Sequence, residues 1–479
     1  MKKIIYIFFA SSFHFYCNLP EVEISNSLEN YPVAEFSYNN AGCFAPCEIE
    51  FINESIYADS VEWNFGDGSS VSNHINPIHL YEKPGEFSVK LTVFNSQGQD
   101  TLSQVLSIKT NTFITTIGKS SLDDVGYSIQ QTLDGGYIIS GYSSIGDNLN
   151  IYLIKTDNKG DLDWDNNTYG GTKDEVGYCV QQTPEGGYIV SGYTKSFDGF
   201  LSGQVYLVKT NHLGSKTWDK HPYGGGTNAE IGYFLQQTED GGYLIAGVTG
   251  NAGGKTDVYL IKATNQGDLT WKKAFDPSGT NDGGNCIQKT QDGGFVITGY
   301  AGGGGTKGSD VYIIKIDHQG NKIWDNNFGG NSDDEGMFIQ QTSDGGYIVV
   351  GNTKSFGAGG KDVYLIKTNS QGDSLWTQTY GGSDEDLGFS VTQTSDGGYI
   401  IVGSTKSFGA GGKDVYLIKV NDEGVKNWAR YFGGALDDEG YCIKETTDEG
   451  FIITGYSQTG GVGGKDVFLI KTDKDGNVQ

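Results

Sequence analysis

Arginine, methionine and proline are scarce in this chain of 479 residues. Arg430 is the single arginine, and there are only 2 methionines and 8 prolines. A sialidase holds the carboxylate of its substrate with several arginines, so the composition argues against that class of enzyme. The 6 histidines form no metal-binding spacing such as His-Glu-x-x-His, and no Gly-x-Ser-x-Gly motif is present. The sequence therefore gives catalysis little support.

Positively charged residues are also few relative to acidic ones. Lys and Arg total 33 against 59 Asp and Glu, and the formal net charge is −26. A polyanion repels nucleic acids and anionic lipid surfaces. We therefore expect no nucleic-acid partner, and the acidity suits a cation or a basic or neutral partner.

Long apolar runs are absent beyond the N-terminus, where a membrane-spanning helix would need about 18 such residues. Lys2 and Lys3 precede a short apolar run, which is typical of a secretory signal. We predict a signal peptide at residues 1–17 and a linker at residues 18–30.

The end of this signal leaves two alternatives open. Cys17 is a candidate for lipidation, as in bacterial lipoproteins, although the residues His-Phe-Tyr before it are larger than such a site prefers. Cleavage after Ser12 would release the protein freely. We expect secretion or attachment to the outer cell surface, with membrane contact only through this lipid anchor.

Glycine and aromatic residues are abundant instead, with 74 Gly, 29 Tyr and 24 Phe. This composition favours many short strands joined by tight turns. The sequence predicts an all-β fold.

Residues 31–110 differ from the rest of the chain. Alternation of apolar and polar residues between Phe87 and Phe94 predicts a half-buried strand. Cys43 and Cys47 lie close together, which in an exported protein indicates a local disulfide. A further motif consists of Trp63, Asn64, Phe65, Gly66, Asp67, Gly68, His79, Tyr81, Pro84 and Gly85.

This motif resembles the polycystic-kidney-disease (PKD) domain, an immunoglobulin-like β-sandwich. The resemblance implies that Trp63 lies in the core and that the Gly-Asp-Gly turn is structural. It also implies a role as a spacer or adhesion module, as is usual for such domains on surface and secreted proteins.

From about residue 111 the chain repeats itself at intervals of about fifty residues, which indicates a propeller or a solenoid. The repeat resembles the "DGGY" repeats of predicted bacterial surface proteins. The second glycine of the turn recurs at Gly136, Gly187, Gly242, Gly294, Gly346, Gly398 and Gly450.

A complete copy contains four strand-like runs, the blade pattern of a β-propeller. In the fifth copy these are residues 336–342, 347–353, 362–368 and 373–380. We predict a β-propeller over residues 111–479.

The two ends of the repeat region predict how the propeller closes. The seventh copy lacks a fourth strand, whereas residues 113–117 before the first copy have the spacing of one. We therefore predict seven blades, with this leading strand completing the last blade and removing exposed sheet edges. The six other fourth strands are marked by Trp164, Trp218, Trp271, Trp324, Trp376 and Trp428, which we expect to pack between blades.

An acidic residue recurs in the loop before the first strand of every copy. Sevenfold recurrence predicts a ring of carboxylates around one mouth of the channel, where it would bind a basic ligand or a cation such as Ca²⁺, although the sequence identifies no certain cofactor. The alternative, which we favour, is that each carboxylate caps backbone N–H groups of its own loop. The residues are Asp124, Glu175, Glu230, Asp282, Asp334, Asp386 and Asp438.

Two further columns have simpler interpretations. A lysine in every third strand is expected to pair with a nearby carboxylate, with an anionic glycan as the alternative partner. Cys179, Cys286 and Cys442 share one column on non-adjacent blades and are expected to be buried free thiols. The lysines are Lys155, Lys209, Lys262, Lys315, Lys367, Lys419 and Lys471.

These patterns lead to one functional hypothesis and two rivals. The hypothesis is an exported, non-catalytic binding or adhesion protein of the cell surface, in which a propeller face recognises a glycan or a protein and the PKD domain is a spacer. The rivals are a carbohydrate-active or quinone-dependent propeller enzyme and a structural surface scaffold.

Overall fold

The fold was analysed in a computed structural model that describes residues 30–40, 42–119, 122–197, 203–221, 223, 229–251, 253–303 and 307–478. The predicted signal peptide, Cys17 and residues 18–29 of the linker lie outside the described residues. Every regular element in the described part is a β-strand, so the all-β prediction is confirmed. No helix in that part is long and apolar enough to span a membrane.

The chain divides into two compact units. Apart from short segments at 44–46 and 82–84, the first contains the residues up to Ile108 and the second contains Lys109 onward.

The first unit contains two three-stranded antiparallel sheets, ordered β1-β2-β4 and β3-β5-β6. In β3, alternate residues are buried, as expected for a strand with one face in the core and one in water. The strands are β1 Phe36–Tyr38, β2 Cys47–Asn53, β3 Ser60–Asn64, β4 Ile78–Tyr81, β5 Gly85–Asn95 and β6 Gly98–Ile108.

Trp63 forms the centre of this first unit. Its side chain is fully buried, and its ring centroid lies 5.0 Å from that of Phe36 and 5.3 Å from that of Phe51. Gly66 has φ +81°, and a Cβ there would lie 2.7 Å from the carbonyl oxygen of Ser88, so only glycine fits the turn. Trp63 and Gly66 of the sequence motif thus maintain the fold.

Cys43 and Cys47 of the same unit are joined by a disulfide with a Cα–Cα distance of 6.2 Å.

The second unit contains seven antiparallel sheets of four strands in its described residues. Six sheets consist of consecutive strands, and the seventh has the order β32-β33-β34-β7. The strands are β7 Phe113–Ile117, β8 Asp124–Gln131, β9 Tyr137–Ile145, β10 Asn148–Thr156, β11 Leu162–Tyr169, β12 Glu175–Gln182, β13 Tyr188–Thr194, β14 Gln204–Thr210, β15 Lys216–Lys220, β16 Glu230–Gln237, β17 Tyr243–Gly250, β18 Thr256–Ala263, β19 Leu269–Phe275, β20 Asp282–Lys289, β21 Phe295–Ala301, β22 Asp310–Ile316, β23 Lys322–Phe328, β24 Asp334–Gln341, β25 Tyr347–Thr353, β26 Asp362–Thr368, β27 Ser374–Tyr380, β28 Asp386–Gln393, β29 Tyr399–Thr405, β30 Asp414–Val420, β31 Lys426–Phe432, β32 Asp438–Glu445, β33 Phe451–Ser457 and β34 Asp466–Thr472.

The middle strands of each sheet are buried on both faces. In the fifth sheet every residue of β25 and β26 is buried, whereas the outer strand β27 is mostly exposed. Strands covered on both sides need continuous apolar runs rather than alternation. This explains why "YIVVG" and "DVYLI" recur almost unchanged.

The leading strand β7 pairs with β34, with Phe113 opposite Lys471 and Ile117 opposite Val467. The first and seventh sheets are neighbours as well. The ring centroids of Tyr127 in β8 and Tyr441 in β32 lie 5.1 Å apart.

A lysine ties the third strand of every sheet to the turn between its first and second strands. Six of these lysines are buried, and Lys209 is half-buried. The lysine stem lies among apolar residues, while the ammonium group meets the acidic residue of the "DGG"-type turn. The Nζ–oxygen distances are 3.0 Å for Lys155–Asp134, 3.5 Å for Lys209–Glu185, 2.8 Å for Lys262–Asp240, 3.0 Å for Lys315–Asp292, 2.9 Å for Lys367–Asp344, 2.8 Å for Lys419–Asp396 and 3.0 Å for Lys471–Asp448.

Candidate functional site

The first strand of every sheet in the second unit contains a β-bulge at the same position. In the fifth sheet Gly336 pairs with Gly351 and Phe338 with Val350, so Met337 has no partner across the ladder. A bulge turns the extra side chain away from its normal direction, and bulges are common next to functional sites. The seven bulged residues are Tyr127, Tyr178, Tyr233, Asn285, Met337, Phe389 and Tyr441.

A glycine opposite each bulge makes this backbone geometry feasible. A Cβ placed on Gly351 would lie 1.9 Å from the carbonyl oxygen of Glu335. Because no side chain fits there, the bulge requires the glycine at the end of "YIVVG".

The seven bulged side chains line one cavity of about 310 Å³. Five of them are aromatic and come from consecutive sheets when the seventh is counted as the neighbour of the first. We call this set, Phe389, Tyr441, Tyr127, Tyr178 and Tyr233, the aromatic arc. Its neighbouring ring centroids lie 5.1 to 5.3 Å apart. The remaining lining residues are Ser128, Phe234, Asn285, Glu335, Met337, Phe338, Ser390 and Cys442.

Asn285 and Met337 interrupt the arc on the fourth and fifth sheets. The Asn285 amide Nδ2 donates to Glu335 Oε1 at 3.0 Å and to the carbonyl oxygen of Gly336 at 2.9 Å. The cavity therefore has an aromatic side and a polar corner, and it departs from the sevenfold symmetry of the repeats.

Burial keeps the tyrosines of the arc in their neutral form. Burial raises the pKa of Tyr233 to about 12, and the nearby Tyr300 hydroxyl and the Glu335 carboxylate add to the effect. The pKa values of Tyr127, Tyr178 and Tyr441 are raised too, with burial as the largest cause. These side chains present neutral rings and hydroxyl groups.

Two lysines contact residues of the first strands without lining the cavity themselves. Lys444 places its Nζ 4.9 Å from the ring centroid of Phe338. Lys413 donates to Glu439 Oε1 at 2.7 Å, and this carboxylate also accepts from the Tyr456 hydroxyl at 3.1 Å.

The predicted acidic ring lies elsewhere. Each of its seven residues is the first residue of a first strand rather than part of the loop before it, so the predicted loop position is wrong. All seven carboxylate residues are buried, and none lines the cavity. Asp386 is representative: its Oδ2 accepts from the backbone N–H of Gly382 at 2.7 Å and from the Ser407 hydroxyl at 2.6 Å. Such contacts are those of the capping alternative. Ligand or metal binding by these residues stays a prediction.

A second carboxylate faces the acidic ring at four junctions between sheets, and it is buried at three of them and half-buried at Asp310. Burial, followed by the charge of Asp386, raises the pKa of Asp362. A Cβ on Gly381 would lie 1.9 Å from Asp362 Oδ1 and 2.8 Å from Asp386 Oδ2, so both carboxylates approach the same glycine. The other pairs are Asp310 with Asp334, Asp414 with Asp438 and Asp466 with Asp124.

One junction carries three carboxylates. Asp276 follows the fourth strand β19 at the place that Gly381 takes after β27. The carboxylate oxygens of Asp257, Asp276 and Asp282 lie within 4.8 Å of one another. Oxygen ligands of this kind suit Ca²⁺.

The three cysteines of the repeat region are buried free thiols. Each thiol points to a backbone carbonyl oxygen of a neighbouring sheet at 3.9 Å. Burial raises the pKa of Cys179 and of Cys286 to about 12, which makes both unreactive. Their role is packing.

Sequence reasoning placed the candidate site in the acidic loops and missed the bulged column. The signal was present, because an aromatic residue follows the glycine of the first strand in five of the seven copies. Alternation alone assigns a residue to one face of a strand, and a bulge shifts that assignment by one residue.

Comparisons with known proteins identify the first unit. Residues 31–110 match the PKD domain family. A solved PKD1 domain of the Vibrio cholerae metalloprotease PrtV is 33% identical and is covered over 98% of its length, which is 16% of this chain, with a TM-score of 0.15.

Longer matches are more distant. A Bacteroides thetaiotaomicron protein of unknown function covers 92% of this chain and is matched over 98% of its own, at 15% identity and a TM-score of 0.40. Collagenase ColA of Bacillus cereus is 25% identical over 121 residues, which is 24% of this chain and 12% of that protein. The chain thus spans about an eighth of the collagenase.

Proposed function

We propose that this chain is an exported, non-catalytic binding or adhesion protein of the cell surface. The repeat unit recognises a glycan or a protein, and the PKD domain serves as a spacer. The PKD match supports the extracellular location, because PKD domains are usual on surface and secreted proteins.

The proposal includes a closed, seven-bladed β-propeller. The pairing of β7 with β34 supports it, because the strand missing at the C-terminal end is supplied from the N-terminal end. Contacts between the first and last sheets add support: besides Tyr127 and Tyr441, Gln131 Oε1 accepts from the backbone N–H of Thr447 at 3.1 Å. A ring of this kind leaves no long sheet edge exposed.

The cavity carries the functional part of the proposal. Aromatic side chains on a rigid scaffold, with a few polar groups at one corner, are the usual makeup of a ligand pocket. Its five rings and its polar corner occupy different sheets, as expected when identical repeats diverge around one ligand.

The test is a glycan and surface-protein binding screen with the full chain. Tyr178→Leu retains an apolar side chain of similar bulk and removes one ring of the arc, so we expect at least about a tenfold loss of affinity for any ligand found. The matched control is Phe356→Leu, which alters an exposed ring outside the cavity and should leave binding unchanged. Equal losses in both variants, or the absence of any ligand, would contradict the proposal.

A further inference from the structure

Glu335 is the single charged residue among those that line the cavity. Its carboxylate accepts from the neutral Asn285 amide, and in the described part of the chain no lysine or arginine forms an ion pair with it. Glu439 on the seventh sheet differs, because Lys413 neutralises it at 2.7 Å. The cavity therefore holds one negative charge that forms no ion pair with a lysine or arginine of the described residues, and the Lys444 ammonium lies beside Phe338 rather than on Glu335.

The aromatic arc supplies a second attraction for a cation. The face of an aromatic ring carries partial negative charge and attracts ammonium groups. The molecule already uses this contact nearby, since Lys465 Nζ lies 4.0 Å from the ring centroid of Tyr456 and Lys444 Nζ 4.9 Å from that of Phe338. The arc has five rings, and the described residues place no ammonium group on any of them.

The size and polarity of the cavity narrow the kind of cation. At about 310 Å³ it suits a headgroup rather than a whole oligosaccharide. A primary ammonium has three N–H donors, and leaving some of them without acceptors inside an aromatic cavity is costly. A methylated ammonium has fewer or no donors to satisfy, and its methyl groups pack on rings.

We propose that the cavity binds a methylated ammonium group, with the aromatic arc around its methyl groups and Glu335 as its counter-charge. The proposal rests on the proposed binding function and names the chemical group of the partner that enters the cavity. The formal net charge of −26 favours the approach of such a cation.

Isothermal titration of the full chain with choline and with 3,3-dimethylbutan-1-ol tests the charge directly. The two probes have nearly the same shape, and only choline is charged. We expect choline to bind at least about fivefold more tightly, as cation–π attraction inside a partly desolvated site predicts. Equal affinities, or no choline binding up to roughly 10 mM, would overturn the proposal.

Two charge-matched variants test the role of Glu335. Glu335→Gln removes the negative charge from the cavity and keeps an acceptor for Asn285, so choline binding should weaken by about fivefold or more. Glu385→Gln removes the same charge from a residue outside the cavity, where Lys406 lies 3.5 Å away. Equal weakening in both variants would show that only the overall charge matters and would overturn the assignment of Glu335.

Further probes identify the carrier and separate this inference from the proposed function. Glycine betaine and N-trimethyl-lysine carry the same trimethylammonium group on different molecules. Tighter binding of glycine betaine indicates a small-molecule source, and tighter binding of N-trimethyl-lysine indicates a protein source. If the binding screen finds a glycan that requires Tyr178 while choline does not bind, the ammonium inference fails and the proposed function stands. If choline binds and no glycan or surface protein does, the ammonium inference stands and the proposed function fails.

Discussion

At one end of every four-stranded sheet a carboxylate meets a lysine, and at the other end of several sheets a carboxylate meets a second carboxylate. Hydrogen bonds from Lys262 and Thr238 outweigh the effect of burial and lower the pKa of Asp240 to about 2. Burial and the charge of Asp386 instead raise the pKa of Asp362. The same residue type therefore stabilises the fold at one end and opposes it at the other, according to what lies beside it.

The largest expected effect comes from breaking the most deeply buried lysine pair. Asp448→Asn leaves Lys471, whose side chain is 1% exposed, without a carboxylate. We expect a loss of about 3 kcal/mol in the free energy of unfolding, because a buried charge without a partner is costly. Urea unfolding followed by tryptophan fluorescence measures it.

The matched variant is Asp344→Asn, which removes the acid paired with Lys367. Asp344 is 58% exposed, so water can partly take the place of its carboxylate beside the lysine. The expected loss is about 1 kcal/mol. Equal losses for the two variants would contradict the role assigned to burial.

At the opposite end, removing one charge of a carboxylate pair should stabilise the protein. Asp362→Asn retains an oxygen acceptor for the backbone N–H of Ala358, 3.0 Å away, and relieves the repulsion with Asp386. We expect a gain of roughly 0.5–1 kcal/mol at neutral pH in the absence of divalent cations. Asp384→Asn, at an exposed loop position, serves as the control and should change stability by less than about 0.5 kcal/mol. A loss in Asp362→Asn larger than in the control would contradict the repulsion.

The three-carboxylate junction sharpens the comparison further. Asp276→Gly restores the residue that follows the fourth strand in other copies and removes one of three converging charges. We expect a small rise in the melting temperature in a chelator-treated sample. If these acids hold Ca²⁺, added Ca²⁺ will raise the melting temperature of the unmodified chain and not that of the variant. Equal responses to Ca²⁺ would place any calcium site elsewhere.

The smallest effect is a difference in pH dependence between the two ends. Turn acids such as Asp292 and Asp344 have folded pKa values of about 2, below the ordinary 3.8, so their contribution is complete above pH 3.8 and is lost as the pH falls toward 2. The pKa of Asp362 is raised in the folded state, so its contribution is present below the ordinary 3.8 and is lost as the pH rises from that value through the folded pKa. Asp344→Asn should flatten the acid side of the stability curve, and Asp362→Asn should steepen it. Urea midpoints between about pH 2 and 6 measure both changes.

Much of the fold was predictable from the repeats. In the fifth copy the predicted second and third strands, 347–353 and 362–368, coincide with β25 and β26, and the predicted leading strand 113–117 coincides with β7. The predicted first strand, 336–342, begins two residues late and ends one residue late relative to β24. Buried apolar runs and glycine turns are local signals, which is why strand positions could be predicted well.

The candidate site was less predictable. The acidic residues were conspicuous because they recur, yet six of the seven accept a hydrogen bond from a backbone N–H group of the preceding loop, as Asp438 does from Gly434 at 2.9 Å. The cavity residues vary from copy to copy, and their convergence depends on how seven first strands are arranged in space. Glu335 is not among the seven acidic residues predicted for the ring.

The sequence alone determined that this protein is built from strands, that a PKD domain precedes a sevenfold repeat, and that each repeat contains four strands, because glycine turns and apolar runs act over a few residues. Tertiary structure alone decided which carboxylates meet lysines and which meet each other, and that seven bulged side chains share one cavity. Those outcomes depend on distances between residues some fifty positions apart, and a single-residue bulge reverses the face that alternation would predict.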